Sequence, residues 1–214
     1  MIPSTHTETR RRPPRFELTG DHLALNFVNT LDNRPSGQPK ELLAQYVDLA
    51  RFAEDSGILP TYLVDRLIER SMHAPAAEKA LIAARELRES FHEVLVAAME
   101  KRPAPPMALA RLNGFVQDAA QHAQLVDRKG KLEWQFDELG PAFESPLWPI
   151  ARAAADLLAS DQLGLVGTCA SPTCQWFFLD VSKNHRRRWC DMKVCGNRAK
   201  AREFYARKTK KIER

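Results

Sequence analysis

The reading of this chain turns on residues 169–214, CASPTCQWFFLDVSKNHRRRWCDMKVCGNRAKAREFYARKTKKIER, which hold all four of its cysteines. Cys169 and Cys174 bracket four residues, fifteen residues follow, and Cys190 and Cys195 bracket four more. Two short cysteine knuckles separated by such a spacer are the sequence form of a four-thiolate zinc site. Each knuckle delivers two thiolates, and the spacer is long enough to fold the second pair against the first. The alternative is two disulfides, which suits a secreted chain. The N-terminal residues MIPSTHTETRRRPPR lack the apolar core of a secretory signal, so a reducing cytoplasmic setting and one structural zinc ion are expected. His185 lies between the knuckles and is assigned to the basic loop, since four thiols already complete the ligand set.

Charge is distributed as unevenly as cysteine. From Cys169 onward there are 13 Lys and Arg against 4 Asp and Glu, whereas residues 1–168 carry 19 against 23. Even after four thiolates bind a dication, the last fifth of the chain stays strongly positive, the footprint of a polyanion binder. The residues Trp176, Phe177, Phe178 and Leu179 read as a strand over the metal cluster, and the chain after Cys195 reads as a helix. At about 100° per residue, Ala201, Phe204 and Tyr205 share a side expected to pack inward. Arg198 and Arg202 fall on one flank, Lys200 and Arg207 on the other. Arg186, Arg187, Arg188, Arg198, Lys200, Arg202 and Arg207 are the candidate nucleic-acid contacts, because arginine reads guanine bidentately and basic groups neutralise phosphate. For Arg198 the alternative is to brace the knuckle or pair with Asp180, and Asn197 is expected to cap the helix.

The segments Arg188-Trp189-Cys190, Cys195-Gly196-Asn197-Arg198 and Ala199-Lys200-Ala201-Arg202 resemble the CGNR zinc finger, as do Cys169 to Cys174 and Trp176 to Asp180. Upstream, His22-Leu23-Ala24-Leu25-Asn26-Phe27-Val28-Asn29-Thr30 is similar to the opening motif of the ABATE domain, a helical module that precedes this finger. The resemblance covers nearly all of the chain after about residue 16. It implies a helical domain followed by a zinc finger, in a family described as a stress-induced transcription regulator.

The residues themselves support a mainly α fold. Residues 1–15, with Arg10, Arg11, Arg12 and Arg15 among prolines, read as a disordered basic arm. A helical domain is expected over 16–165 and the finger over 166–214. Leu23, Phe27 and Leu31 have helical spacing, and further helices are read over 41–56, 60–71, 75–101 and 108–121. Leu132, Trp134 and Phe136 alternate with polar residues beyond Lys129-Gly130, a β-hairpin signal. Ser145-Pro146 offers an N-cap and first-turn proline for the next helix. Leu163–Gly167 is too short for a free linker, so the finger should pack on the helical domain. Asn26, Asn29 and Thr30 sit inside an apolar stretch, where buried amides need partners. They either tie loops and helix ends together or line a small-molecule pocket.

No phosphate loop, nucleotide fingerprint, H-E-x-x-H pair or nucleophile elbow occurs, and four thiolates leave zinc no open position for water. His22 near Asp21 and Asp32 is the nearest approach to acid–base machinery. No enzymatic role is expected. DNA is the expected partner, for a transcription regulator with an effector-sensing domain as an option. RNA or ribosome association, and zinc-clamped dimerisation or protein contact, are the alternatives. No apolar run is long enough to span a membrane.

Overall fold

A computed structural model describes residues 13–137 and 139–212, with side chains described as far as Tyr205. The elements are α1 (Leu23–Val28), β1 (Leu31–Asp32), β2 (Lys40–Glu41), α2 (Tyr46–Asp55), α3 (Thr61–Ser71), α4 (Pro75–Met99), α5 (Pro106–Gln121), β3 (Ala123–Arg128), β4 (Lys131–Phe136), α6 (Leu147–Leu158), β5 (Val166–Thr168), β6 (Phe177–Leu179) and α7 (Asn197–Ile212). The described chain is mainly helical. Its strands form three separate antiparallel pairs, β1 with β2, β3 with β4, and β5 with β6.

The long helix α4 is the axis of the body. Ala77, Ala80, Ala84, Leu87, Phe91 and Leu95 recur at threes and fours and are buried, so one stripe of the helix meets its neighbours. Pro75 opens it without loss of a helical hydrogen bond. At its end Lys101 takes a left-handed conformation (φ 54°) while Arg102 N–H closes on Ala97 O at 2.8 Å. Against this axis lie α1, α2, α5 and α6. The shortest of them, α1, is the most enclosed, with Ala24, Leu25, Phe27 and Val28 inaccessible to solvent. His22 caps it by accepting a hydrogen bond from Ala24 N–H at 3.3 Å. Burial keeps its imidazole below the ordinary value, with the Asp156 charge opposing.

Several boundaries differ from the sequence expectation for local reasons. α1 ends at Val28, because Leu31 and Asp32 turn out to pair with Glu41 and Lys40. α2 begins at Tyr46, where Asp48 Oδ2 reaches back to accept from Gln45 N–H at 2.9 Å. Ser145 does not cap α6. Its hydroxyl instead accepts from Gly140 N–H at 3.1 Å, and Pro146 takes the cap position. Residues 1–12 of the expected arm lie outside the described residues. Arg15 at its end is fastened, its N–H on Asp55 Oδ2 (2.7 Å) and its guanidinium on Asp48 Oδ1 (2.6 Å).

A charge network pins β1 and β2 to α4. The Arg88 side chain is 3% exposed and forks onto Glu41 with two contacts of 2.6 Å, while its Nε reaches Glu89 at 2.8 Å. Arg34 grips the same Glu89 at 2.7 and 3.1 Å. Burial pushes the Glu41 carboxyl up, but the hydrogen bond and charge of Arg88 outweigh it and hold the group below its ordinary value. A buried fork of this kind is costly to break, because its partners keep their charge without its counterpart. Arg88→Ala should therefore lower unfolding free energy by about 3 kcal/mol in chemical denaturation. A loss under about 1 kcal/mol would mean that the network contributes no more than a surface ion pair.

Candidate metal centre and nucleic-acid interface

The first knuckle is a tight turn between β5 and β6. Cys169 N–H donates to Trp176 O at 2.8 Å, and Cys174 N–H to Ser171 O at 3.0 Å. Gln175 takes a left-handed backbone (φ 54°) to leave the turn. The second knuckle winds into a π turn over Met192–Gly196. Asp191 caps it, its carboxylate accepting from Val194 N–H at 2.8 Å and its carbonyl from Cys195 N–H at 3.0 Å. Gly196 lets the Met192 side chain lie close over the turn. A Cβ there would lie 2.4 Å from Met192 Sδ and 3.3 Å from Trp189 Cδ1. Asn197 does not cap α7; its amide donates back to Lys193 O at 3.0 Å, and the capping falls to Asp191.

These turns bring the four sulfur atoms within 4.8 Å of one another. Cys174 and Cys195 each stand 3.6 Å from Cys190. A tetrahedron with Zn–S bonds of about 2.3 Å has S···S edges of about 3.8 Å, so the spacing fits one zinc ion and is far too wide for disulfide bonds. All four thiols are free, three of them buried and Cys174 half-buried. A hydrogen bond from Cys190, acting against burial and helped by the Trp176 backbone and the other two thiols, lowers the Cys174 thiol to about 6. Cys190, as that donor, is pushed upward, and burial pushes Cys195 up to about 12. Crowded thiolates repel, and a dication resolves the repulsion by taking the place of the retained protons. When bound, zinc would hold the two knuckles together, with no ligand position left for catalysis.

The finger is fused to the helical body through β6. Phe177 and Leu179 join the main core while Phe178, on the opposite side of the strand, covers the cysteines. Asn29 pairs with the strand as another strand would. Its Nδ2 donates to Phe177 O at 2.8 Å, and its Oδ1 accepts from Phe177 N–H at 2.9 Å. Leu179 N–H donates to Gly20 O at 2.8 Å, and Trp176 Nε1 to Asp32 Oδ1 at 2.8 Å. Asn26 Oδ1 accepts from Gly20 N–H at 2.8 Å, and Thr30 hydroxyl donates to Phe27 O at 2.7 Å. Of the two roles open to Asn26, Asn29 and Thr30, these contacts support the tying of loops and helix ends: Asn29 spends its whole amide on β6, while Asn26 Oδ1 and the Thr30 hydroxyl are held close to α1. His92 lies edge-on to Phe177, ring centroids 5.7 Å apart, with burial pressing its imidazole down to about 4.

Arg187 also needs correction as a nucleic-acid contact. Its Nε donates to Trp189 O at 3.0 Å and its Nη2 to Thr19 O at 2.8 Å and to Cys190 O; Nη1 meets Asp21 and Leu179 O. The guanidinium lies over the Phe178 ring, 4.5 Å from its centroid. It joins the second knuckle to the body and has no donor left for phosphate. Asp180 organises the same loop by accepting from Ser182 and from Arg187 N–H at 2.9 Å. The Ser182 hydrogen bond, against some burial, keeps its carboxyl below the ordinary value. With its oxygens so used, Asp180 is not the partner of Arg198. His185 sets its Nδ1 2.9 Å from Asp180 O and is not among the clustered ligand atoms.

Arg186, Arg188, Arg198, Lys200 and Arg202 are exposed. Arg188 lies 5.5 Å from the Trp189 ring centroid, and Arg202 Nη2 is 3.5 Å from Ser171 Oγ. The Arg207 side chain falls outside the described ones. The inward packing expected of Ala201, Phe204 and Tyr205 is overturned: Ala201 is exposed, and the two rings are each 65% accessible. Among the described residues α7 contacts chiefly the turn that precedes it, so this side is left largely to solvent. The roles of Asp21, Thr19 and Asp180 had no local signal, since their partners lie up to 168 residues away or depend on the loop's path.

Residues 21–161 match the ABATE family, described as "Putative stress-induced transcription regulator", and residues 166–208 match the CGNR zinc finger. The chain belongs to the ABATE family. No curated protein matches it. In this ABATE-family chain the helical domain and the finger meet along β6, where Asn29 of the opening motif is one of the direct links. Asn29→Ala would orphan a buried N–H and a buried C=O of Phe177. A stability loss of about 2–4 kcal/mol is expected in denaturant, with faster amide exchange in β6. Unaltered exchange there would remove Asn29 from the seam. Cys190→Ser should abolish retention of one zinc ion under mild chelation and unfold the finger; metal analysis that still finds one zinc per chain would contradict the four-thiolate centre.

Proposed function

We propose that this protein is a zinc-dependent, non-enzymatic DNA-binding regulator in which the C-terminal module supplies the contact surface. One observation carries the reading: α7 leaves the zinc knuckle with Arg198, Lys200 and Arg202 exposed. A helix about 10–12 Å across fits a major groove about 12 Å wide, and a start clamped by the metal site would fix its angle of entry. Arg186 and Arg188, exposed on the loop before the second knuckle, would add phosphate contacts to the same approach. Arg187 holds that loop in place and is left out of the contact set.

The family's description favours a nucleic-acid partner in a regulatory setting. Among the described residues no helix is long and apolar enough to cross a membrane. With the contacts of Asn26, Asn29 and Thr30 supporting the tying of loops and helix ends, an effector is not part of the proposal.

The test is selection from fragmented genomic DNA by the zinc-loaded chain at near-physiological salt, followed by sequencing. Enrichment of one short motif is the expected result, and no recovery of DNA would sink the reading. Arg202→Ala should weaken binding uniformly across sequences and reduce the slope of log K against log salt by about one. An unchanged slope would take Arg202 off the contact surface.

A further inference from the structure

The side of α7 that faces solvent is aromatic as well as basic. At about 100° per residue, the arc from Lys200 through Phe204, Ala201 and Tyr205 to Arg198 and Arg202 is continuous. Phe204 and Tyr205 stand edge to face, ring centroids 5.7 Å apart at 77°, both 65% exposed. Ala199, on the opposite side, is the half-buried position. Two adjoining exposed rings set among cations form a candidate contact surface.

Charge complementarity selects the occupant. Residues 197–212 contain seven Lys or Arg and a single acidic residue, Glu203, so a second copy of this helix would bring like charge against like. A lipid surface would need a broader apolar stripe than two rings. Aromatic rings flanked by cations suit a polyanion whose bases are free to stack, because every base offers a π face while Arg and Lys track the phosphates. We infer that Phe204 and Tyr205 form a stacking element for unpaired DNA bases, so that the finger takes single-stranded or locally opened DNA in addition to the duplex. This rests on α7 as the nucleic-acid-binding element and adds the kind of DNA that it takes. Arg198 and Arg202, on the Tyr205 side, and Lys200, on the Phe204 side, are placed to hold the strand's phosphates as the bases meet the rings.

The experiment is fluorescence anisotropy with the zinc-loaded full chain and three probes: oligodeoxythymidine of about ten nucleotides, a DNA duplex of equal length, and the matching oligouridine. Phe204→Ala/Tyr205→Ala should weaken oligodeoxythymidine binding about tenfold or more, with the duplex affected less than about twofold. Its salt slope should stay as in the parent, since no charge is removed. Both rings are largely exposed, so zinc content should be retained and the unfolding midpoint should change little. Equal losses on the two DNA probes, or no loss on either, would overturn the stacking role. If the duplex binds with an Arg202-dependent slope and the aromatic variant behaves like the parent, only this inference fails. If the parent binds none of the probes, the DNA-binding reading fails and takes this one with it. Tighter binding of oligouridine than of oligodeoxythymidine would move the site to RNA and overturn its assignment to DNA. Binding to anionic vesicles that the aromatic variant loses would assign the face to lipid instead.

Discussion

The pairing of Asn29 with both backbone groups of Phe177 is the contact on which the two halves of the molecule depend. An isolated three-residue strand such as β6 cannot carry a stable module, since a lone strand pair is marginal in water. Here β6 has β5 on one edge and the Asn29 amide reaching it from α1, with its side chains divided between two cores. Phe177 and Leu179 belong to the helical body, and Phe178 belongs to the cysteine cluster. The metal centre is therefore built on a strand that the body already holds.

Arg187 completes that union at the second knuckle. Its fork gathers carbonyls of Trp189 and Cys190 on the finger side with Asp21 and Thr19 O on the body side. A guanidinium can do this because its five donors lie in one plane, which also lets it rest on Phe178. Zinc would close the knuckles from within while Arg187 ties one of them from outside. The body and the start of α7 thus share one support, and only the exposed length of the helix is left to meet a partner. That arrangement fits a helix whose value lies in being presented at a set angle.

Much of the site was legible in the primary structure. The cysteine spacing names the metal and its ligands, since short knuckles oblige neighbouring thiols to converge. The helices of the body follow from apolar periodicity, α4 most clearly because its stripe is long. Boundaries were less legible where a side chain settles them: Asp48 sets the start of α2, and Ser145 serves Gly140 instead of α6. β1 and β2 are two residues each, too short for any period to register.

What sequence by itself determined is the chemistry: four thiols in two knuckles, a positively charged end, and a helical body with buried amides. Tertiary structure alone decided how those groups are spent. Arg187 and Arg186 are adjacent and alike in sequence, yet one is consumed by carbonyls and the other is exposed. Phe204 and Tyr205 have the spacing of a core face and yet remain largely exposed among the described residues. Periodicity records which residues share a side of a helix. It carries no information on what that side will meet, since the neighbour is set by contacts between residues far apart in the chain.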